Sequence, residues 1–277
     1  MKGWRVAALT LAAMIAFAGN SLLCRLALTT SPIDAASFTT IRIVSGALTL
    51  WVIARLRNGT ATGSGNWPSA IALFAYAAAF SFAYLSLTAA TGALLLFGAV
   101  QATMITWGLR SGDRLGKWQV CGLACAYAGL IGLLLPGLTA PPVLGALLML
   151  GAGVAWGVYS LRGRGSGDPT RVTAGNFLRA IPFAAALSLA LLPARSIDAA
   201  GVLYAVTSGA LASGVGYAIW YSALKHLRAS MAATVQLSVP VIAAAGGIAL
   251  LGEQLTLRLV IASVAILGGI ALVIFRR

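Results

Sequence analysis

The stretch Tyr217–Thr256, YAIWYSALKHLRASMAATVQLSVPVIAAAGGIALLGEQLT, decides how the chain is read. Two long apolar runs flank a short basic connector around Lys225 and Arg228, and a rare acidic residue, Glu253, closes the second run. An apolar run of about 20 residues crosses a hydrocarbon core of roughly 30 Å as a helix, and lipid offers the backbone polar groups no other partners. The stretch therefore predicts two membrane helices joined by a short loop. A fainter version of it lies about 140 positions earlier.

Outward from this stretch the composition does not change. The 277 residues are 60% hydrophobic and 9% charged, so a soluble fold would expose more apolar surface than water tolerates. The expected fold is an all-α integral membrane protein with ten transmembrane helices. They are predicted near Trp4–Leu28, Asp34–Arg55, Trp67–Thr88, Thr91–Leu109, Lys117–Leu135, Val143–Leu161, Arg171–Leu192, Gly201–Leu224, Ser230–Leu251 and Thr256–Phe275. Connectors such as 58–66, 136–142 and 163–169 carry the Gly, Pro, Ser and Asn that punctuate helices. The apolar run after Lys2 and Arg5 continues to Leu28 from a chain beginning at Met1, which favours a first helix over a cleaved signal segment.

A formal charge of +14 could suggest nucleic acid, but the Lys and Arg residues cluster in connectors and termini. That distribution is a topology signal, and the partner it implies is the lipid bilayer, with no nucleic acid. With the N-terminus in the cytoplasm, Lys2, Arg5, Arg55, Arg57, Arg110, Arg114, Lys117, Arg162, Arg164, Arg171, Lys225, Arg228, Arg276 and Arg277 fall inside. Only Arg195 and Arg258 fall in outer loops, a bias that predicts both termini on the cytoplasmic side. Cys24, Cys121 and Cys125 sit in apolar runs without paired motifs and read as small packing residues. No cofactor or metal is expected.

Self-comparison shows a repeat. A shift of 137 places Phe80 and Tyr84 on Tyr217 and Tyr221, and Arg42 on Arg179. A shift of 138 places Gly19 on Gly157, and a shift of 140 places Gly112, Asp113 and Gly129 on Gly252, Glu253 and Gly269. The chain thus divides into residues 1–137 and 138–277, five helices each. Five is odd, so the second unit enters the membrane from the opposite face, giving two inverted five-helix repeats. Such symmetry offers two similar conformations, one open to each side, as alternating access requires.

At this point the residues resemble a known family. The aromatic helix with Tyr217, Trp220, Tyr221, Ala223 and Leu224, then Ala229-Ser230, Leu237, Pro240 and Leu251-Gly252-Glu253-Gln254-Leu255, is similar to the ten-helix EamA-type carriers of the drug/metabolite transporter superfamily. Gly19-Asn20 resembles the family's Trp-Gly-Asn pattern, with Phe17-Ala18 where Trp would stand. Asp113 replaces the Glu expected in the first half, and no Pro corresponds to Pro240. The resemblance implies an exporter of metabolites or amino acids in a bacterial inner membrane, with a central cavity lined by both repeats. It is nearest to the aromatic amino acid exporters called YddG, and it is compatible with a monomer.

The residues themselves suggest a path. Tyr76, Phe80 and Tyr84 recur every four positions on the third helix, drifting about 40° per step around one face. Tyr217 and Tyr221 repeat the pattern on the eighth helix, Trp220 widens it, and Trp156 and Tyr159 on the sixth complete the wall. Core packing or an interfacial belt is the alternative for any single ring. Asn20, Gln101, Gln236 and Ser238 are uncharged polar groups deep in helices, equally suited to joining helices or to holding substrate. Pro240 frees a carbonyl in the preceding turn, making Gln236 to Pro240 a binding or hinge element.

Arg42 and Arg179 lie about 12 Å into their helices, where they can hold a substrate carboxylate or snorkel to the nearer surface. They stay outside the candidate set. All five acidic residues, Asp34, Asp113, Asp168, Asp198 and Glu253, fall at helix ends, where they suit helix N-termini better than a midplane proton relay. This predicts downhill transport or exchange. The only histidine, His226, lies in a connector, which disfavours an intramembrane hydrolase. A channel, or a sugar-phosphate, nucleotide-sugar or drug carrier of the same fold, stays open as an alternative.

Overall fold

Each apolar run folds as a helix, and the short connectors supply the caps. The computed structural model describes residues 3–58, 65–112, 116–137, 139–163, 168–227 and 229–275. The helices are α1 Gly3–Thr30, α2 Ala35–Asn58, α3 Trp67–Ala83, α4 Ala89–Arg110, α5 Lys117–Leu134, α6 Val143–Arg162 and α7 Pro169–Ala190. They continue with α8 Ala199–Leu224, α9 in two pieces, Ala229–Gln236 and Ser238–Leu251, and α10 Leu257–Phe275. Asp113, Lys2, Arg114, Arg164, Arg228, Arg276 and Arg277, which carry part of the expected repeat and charge bias, lie outside the described residues.

Among the described residues, nine helices are long and apolar enough to cross a membrane. The remaining one, α3, has 17 residues, about 25 Å of rise. It ends five residues before the expected Thr88 because Thr88 is used to cap α4, its hydroxyl accepting the Thr91 N–H at 3.2 Å. The chain turns at Tyr84 instead.

The packing obeys an exchange of the two halves. Helix α3 packs on α6 as α8 packs on α1, α4 packs on α6 as α9 packs on α1, and α3 meets α7 as α8 meets α2. The pairs α2–α7, α4–α9 and α5–α10 map onto themselves. A twofold relation between five-helix units produces this pattern, and the odd number of helices makes the units inverted.

Lipid tails supply no hydrophobic drive between helices, so close approach decides the contacts. In the α5–α10 pair, a Cβ on Gly122 would sit 2.5 Å from the Gly269 carbonyl oxygen. Only bare backbone fits there. The outward faces carry large apolar side chains such as Leu144, Leu147, Ile261 and Val264. Cys121 and Cys125 share that exposed face, so they are not the packing residues expected of them, whereas Cys24 is fully buried. Their spacing of four placed them on one side of α5, and that side is turned away from α10.

The described acidic residues act as caps. Asp168 and Asp198 accept N–H groups at the starts of α7 and α8. Asp34 accepts the Ser37 N–H of α2 at 2.8 Å and, with its other oxygen, the Ser196 N–H at 3.0 Å, tying the α1–α2 corner to the α7–α8 connector. Burial by itself would raise its carboxyl, but these donors outweigh burial and hold it below the ordinary 3.8. A depressed carboxylate stabilises the fold above its unfolded pKa, and the contribution disappears as pH falls through the folded value. Thermal unfolding in detergent should therefore drop in temperature as pH is lowered below about 4, and Asp34→Asn should remove part of that dependence. An identical pH profile in the variant would refute the assignment.

Candidate functional site

The rings expected along the path meet where the two halves meet. Trp156 of α6 is stacked on Tyr159, centroids 5.2 Å apart, and on Tyr217 of α8 at 5.4 Å and 18°. Tyr76 of α3 approaches Trp156 to 4.8 Å and Phe80 to 5.5 Å, and Phe80 stands edge-on to Tyr84 at 4.8 Å. Tyr217 also touches Tyr221 at 6.4 Å, Phe177 of α7 at 6.1 Å and Phe17 of α1 at 5.7 Å, and Phe17 reaches Trp220 at 6.0 Å. The helices of a soluble core would make such contacts too. Here the cluster is drawn from both repeats, on the seam that alternating access would have to open.

Local structure places α8 against this seam. Its middle, Ser208–Val215, is π-helical, and such segments often accompany functional sites. The segment is built of small residues, SGALASGV, which allow α1 and α2 to come close. A Cβ on Gly209 would collide with Ser45 Oγ and the Arg42 carbonyl oxygen, and one on Gly214 would lie 2.8 Å from Thr49. From α1, Asn20 Oδ1 accepts the hydroxyls of Ser208 at 2.8 Å and Ser213 at 3.3 Å. These contacts fix the roll of α8 and so the direction of Tyr217, Trp220 and Tyr221.

Arg42 stands inside the cluster. It is 2% exposed, its Nη2 donates to the Tyr76 hydroxyl at 2.8 Å, and its guanidinium carbon lies 4.7 Å from the Phe80 ring centroid and 5.3 Å from that of Tyr76. It does not snorkel. Desolvating a guanidinium costs several kcal/mol. Two desolvated cation–π contacts of about 2 kcal/mol each and one charged hydrogen bond of about 1.5–3 kcal/mol are comparable with that cost. Nη1 is left buried with no hydrogen-bond partner among the described residues.

A second polar cluster closes one end of the bundle. Gly252, with φ of 64°, ends α9 in the left-handed region, and the Glu253 N–H returns to the Gly247 carbonyl at 3.1 Å. This turn aims the Glu253 carboxylate at the start of α4, where its oxygens accept the Ala89 N–H at 3.0 and 2.9 Å. Arg25 of α1 pairs with Glu253 at 3.5 Å and donates to the Tyr84 carbonyl at 2.9 Å. Three corners, from α1, α3–α4 and α9–α10, are thereby joined.

Residues 143–275 match the EamA-like transporter family. Over 278 residues the chain is 59% identical to the uncharacterized protein PA1977 of Pseudomonas aeruginosa, covering 100% of this chain and 97% of that one. The chain belongs to the EamA-like transporter family. A protein crystal structure 22% identical in sequence superposes with a TM-score of 0.67, covering 96% of this chain and 99% of that chain, and shows the shared fold. As an EamA-like protein the chain is a multi-pass transporter of small molecules in a bacterial inner membrane, not an enzyme.

In this EamA-like transporter, Phe80, Tyr84, Trp156, Tyr159, Tyr217, Trp220 and Tyr221 come together as the spacing predicts. Tyr84 is the C-cap of α3 rather than part of its last turn. Among the described residues the polar candidates make no hydrogen bond to these rings. Asn20 serves the α1–α8 contact, and Gln101, though buried on α4, has no hydrogen bond among the described residues. Ser238 donates to the Val235 carbonyl at 2.6 Å across the interruption of α9 at Leu237, and Pro240 sits in the first turn of the second piece, where its missing N–H costs nothing. Gln236 ends the first piece. These three mark a break in a helix.

Sequence reasoning missed several members. Arg42 was visible as a charge deep in an apolar run, and Tyr76 as the first of the four-residue series. Thr173 gave no signal, although its hydroxyl meets those of Tyr221 at 3.0 Å and Tyr159 at 3.4 Å. Phe17 and Phe177 have no ring three or four positions away in their own helices.

Proposed function

We propose that this transporter exports amino acids, aromatic ones favoured, or related small metabolites, by alternating access between repeats 1–137 and 138–277. In this reading all ten helices span the membrane, both termini are cytoplasmic, and the substrate passes through the seam lined by Phe80, Tyr84, Trp156, Tyr159, Tyr217, Trp220 and Tyr221. The observation that carries it is the stack of Trp156 between Tyr159 and Tyr217, continued by Tyr76 and Phe80 of the opposite repeat. A flat ring can replace one of these partners at little cost, since aromatic pairs contribute only about 0.5–1.5 kcal/mol beyond burial. Weak, exchangeable contacts suit a substrate that must leave again. Gln236, Ser238 and Pro240 supply a hinge in α9 rather than a binding surface, and Asn20 joins α1 to α8. The likeness to YddG exporters supports the same substrate class.

Counterflow in proteoliposomes tests the proposal. Labelled phenylalanine or tryptophan should enter vesicles faster when the lumen is preloaded with the same amino acid. Uptake without that stimulation would indicate a channel. Movement of phosphorylated sugars alone would remove the amino acid assignment and leave the fold.

A further inference from the structure

Resting on the transport reading above and going beyond it, we infer that Arg42 is the carboxylate-binding residue of the path, so that the substrates of this carrier are carboxylic acids with a flat apolar body. The guanidinium is buried against the rings of Tyr76 and Phe80, spends Nη2 on the Tyr76 hydroxyl, and leaves Nη1 buried with no acceptor among the described residues. The phenols of Tyr76 and Tyr217 and the Cys24 thiol lie within electrostatic reach of it, and none of them is a permanent anion.

The described carboxylates are all engaged elsewhere. Asp34 caps α2, Asp168 caps α7, Asp198 caps α8, and Glu253 caps α4 while pairing with Arg25. Among the described residues, then, the counter-charge for Arg42 has to come with a ligand. A cation held in low dielectric attracts an anion far more strongly than one in water. The surroundings also select the kind of anion. A dianionic phosphate is ordinarily held by several cations or a run of backbone N–H groups. Here one guanidinium with one open nitrogen is enclosed by rings, and helical backbone surrounds it. A planar monoanionic carboxylate fits that single site, leaving its body to lie on Trp156 and Tyr217.

The repeat-related Arg179 does not duplicate the site. Its Nη1 donates to the Gly175 carbonyl of its own helix at 3.0 Å and is only partly buried. One carboxylate subsite per chain follows, carried by the first repeat.

The test compares ligands with and without the carboxyl on the purified full chain. By thermal shift and by displacement of labelled phenylalanine, wild type should bind L-phenylalanine and benzoate at least tenfold more tightly than 2-phenylethylamine, benzamide and phenyl phosphate. Arg42→Gln should abolish that preference, losing at least tenfold for the carboxylates and little for the two uncharged-headed or cationic probes, and Arg42→Lys should restore part of it. The wild-type comparison needs no variant and stands if Arg42→Gln fails to fold. Equal binding of phenylalanine and 2-phenylethylamine, no binding of either carboxylate, tighter binding of phenyl phosphate, or equal losses for all probes in Arg42→Gln would each overturn the inference. Carboxylate preference without counterflow would sink the transport reading and leave the subsite; counterflow of phenylalanine unchanged by Arg42→Gln would do the reverse.

Discussion

Glu253→Ala should open the end of the bundle that Arg25 and Glu253 close. The substitution removes charge-assisted bonds to the Ala89 N–H at the start of α4 and strands Arg25 on the backbone carbonyls of the α3–α4 corner. A hydrogen bond to a charged group contributes about 1.5–3 kcal/mol. At about 1.4 kcal/mol per tenfold, loss of one such bond shifts a two-state equilibrium roughly tenfold to a hundredfold away from closure. Cys24 reports the change, because it is fully buried and directly precedes Arg25. In a chain carrying Cys121→Ser and Cys125→Ser, a membrane-impermeant thiol reagent added outside should modify Cys24 at least tenfold faster after Glu253→Ala. Unchanged Cys24 protection together with an unchanged melting temperature would show that the cluster is decorative.

Gly209→Ala should be the most damaging single methyl group in the protein. A Cβ there collides with the Arg42 carbonyl oxygen and Ser45 Oγ, and the carbonyl cannot retreat without moving α2 off α8. Overpacking of a tight contact costs about 1–3 kcal/mol, and this contact is against backbone. The matched control is Gly268→Ala on α10, where a Cβ meets nothing within 4 Å. There the alanine should be neutral or stabilising by up to about 1 kcal/mol, the helix-propensity difference. Thermal unfolding of the two variants in the same detergent should thus move in opposite directions. If Gly209→Ala melts with wild type, α8 is not held against α2 as described. Because the collision involves the Arg42 backbone, the surviving folded fraction should also bind carboxylates more weakly.

What the sequence made legible is what local periodicity encodes. Lipid demands helices, so apolar runs gave the helices to within a few residues, and i, i+4 rings gave the aromatic faces of α3 and α8. Acidic residues at run ends gave caps, because a carboxylate there has few other uses. The tertiary partner of each group was not legible. Arg42 and Arg179 are equivalent by repeat, yet one faces Tyr76 on another helix and the other bonds its own backbone, a difference set by which neighbour lies opposite. The motif Leu251-Gly252-Glu253 announced a helix end, while the helix it caps begins 164 positions earlier. The stop of α3 before Thr88 and the break at Leu237 follow from competition between caps and helix propagation, which apolar run length does not register.

The π-helical segment Ser208–Val215 carries a consequence for chain length. Each added residue in a regular α-helix turns everything beyond it by about 100°, whereas i→i+5 bonding absorbs the extra residue inside the helix. A chain one residue shorter between Ser208 and Val215 would recover ordinary α-helical bonding and lose nothing in apolar length. It would leave Tyr217, Trp220 and Tyr221 facing Trp156, because the π-helical turn already takes up the extra residue. An extra residue elsewhere in α8, with no such turn to absorb it, would rotate those rings by about 100°, so the π-helical turn buffers the ring wall against a change of chain length.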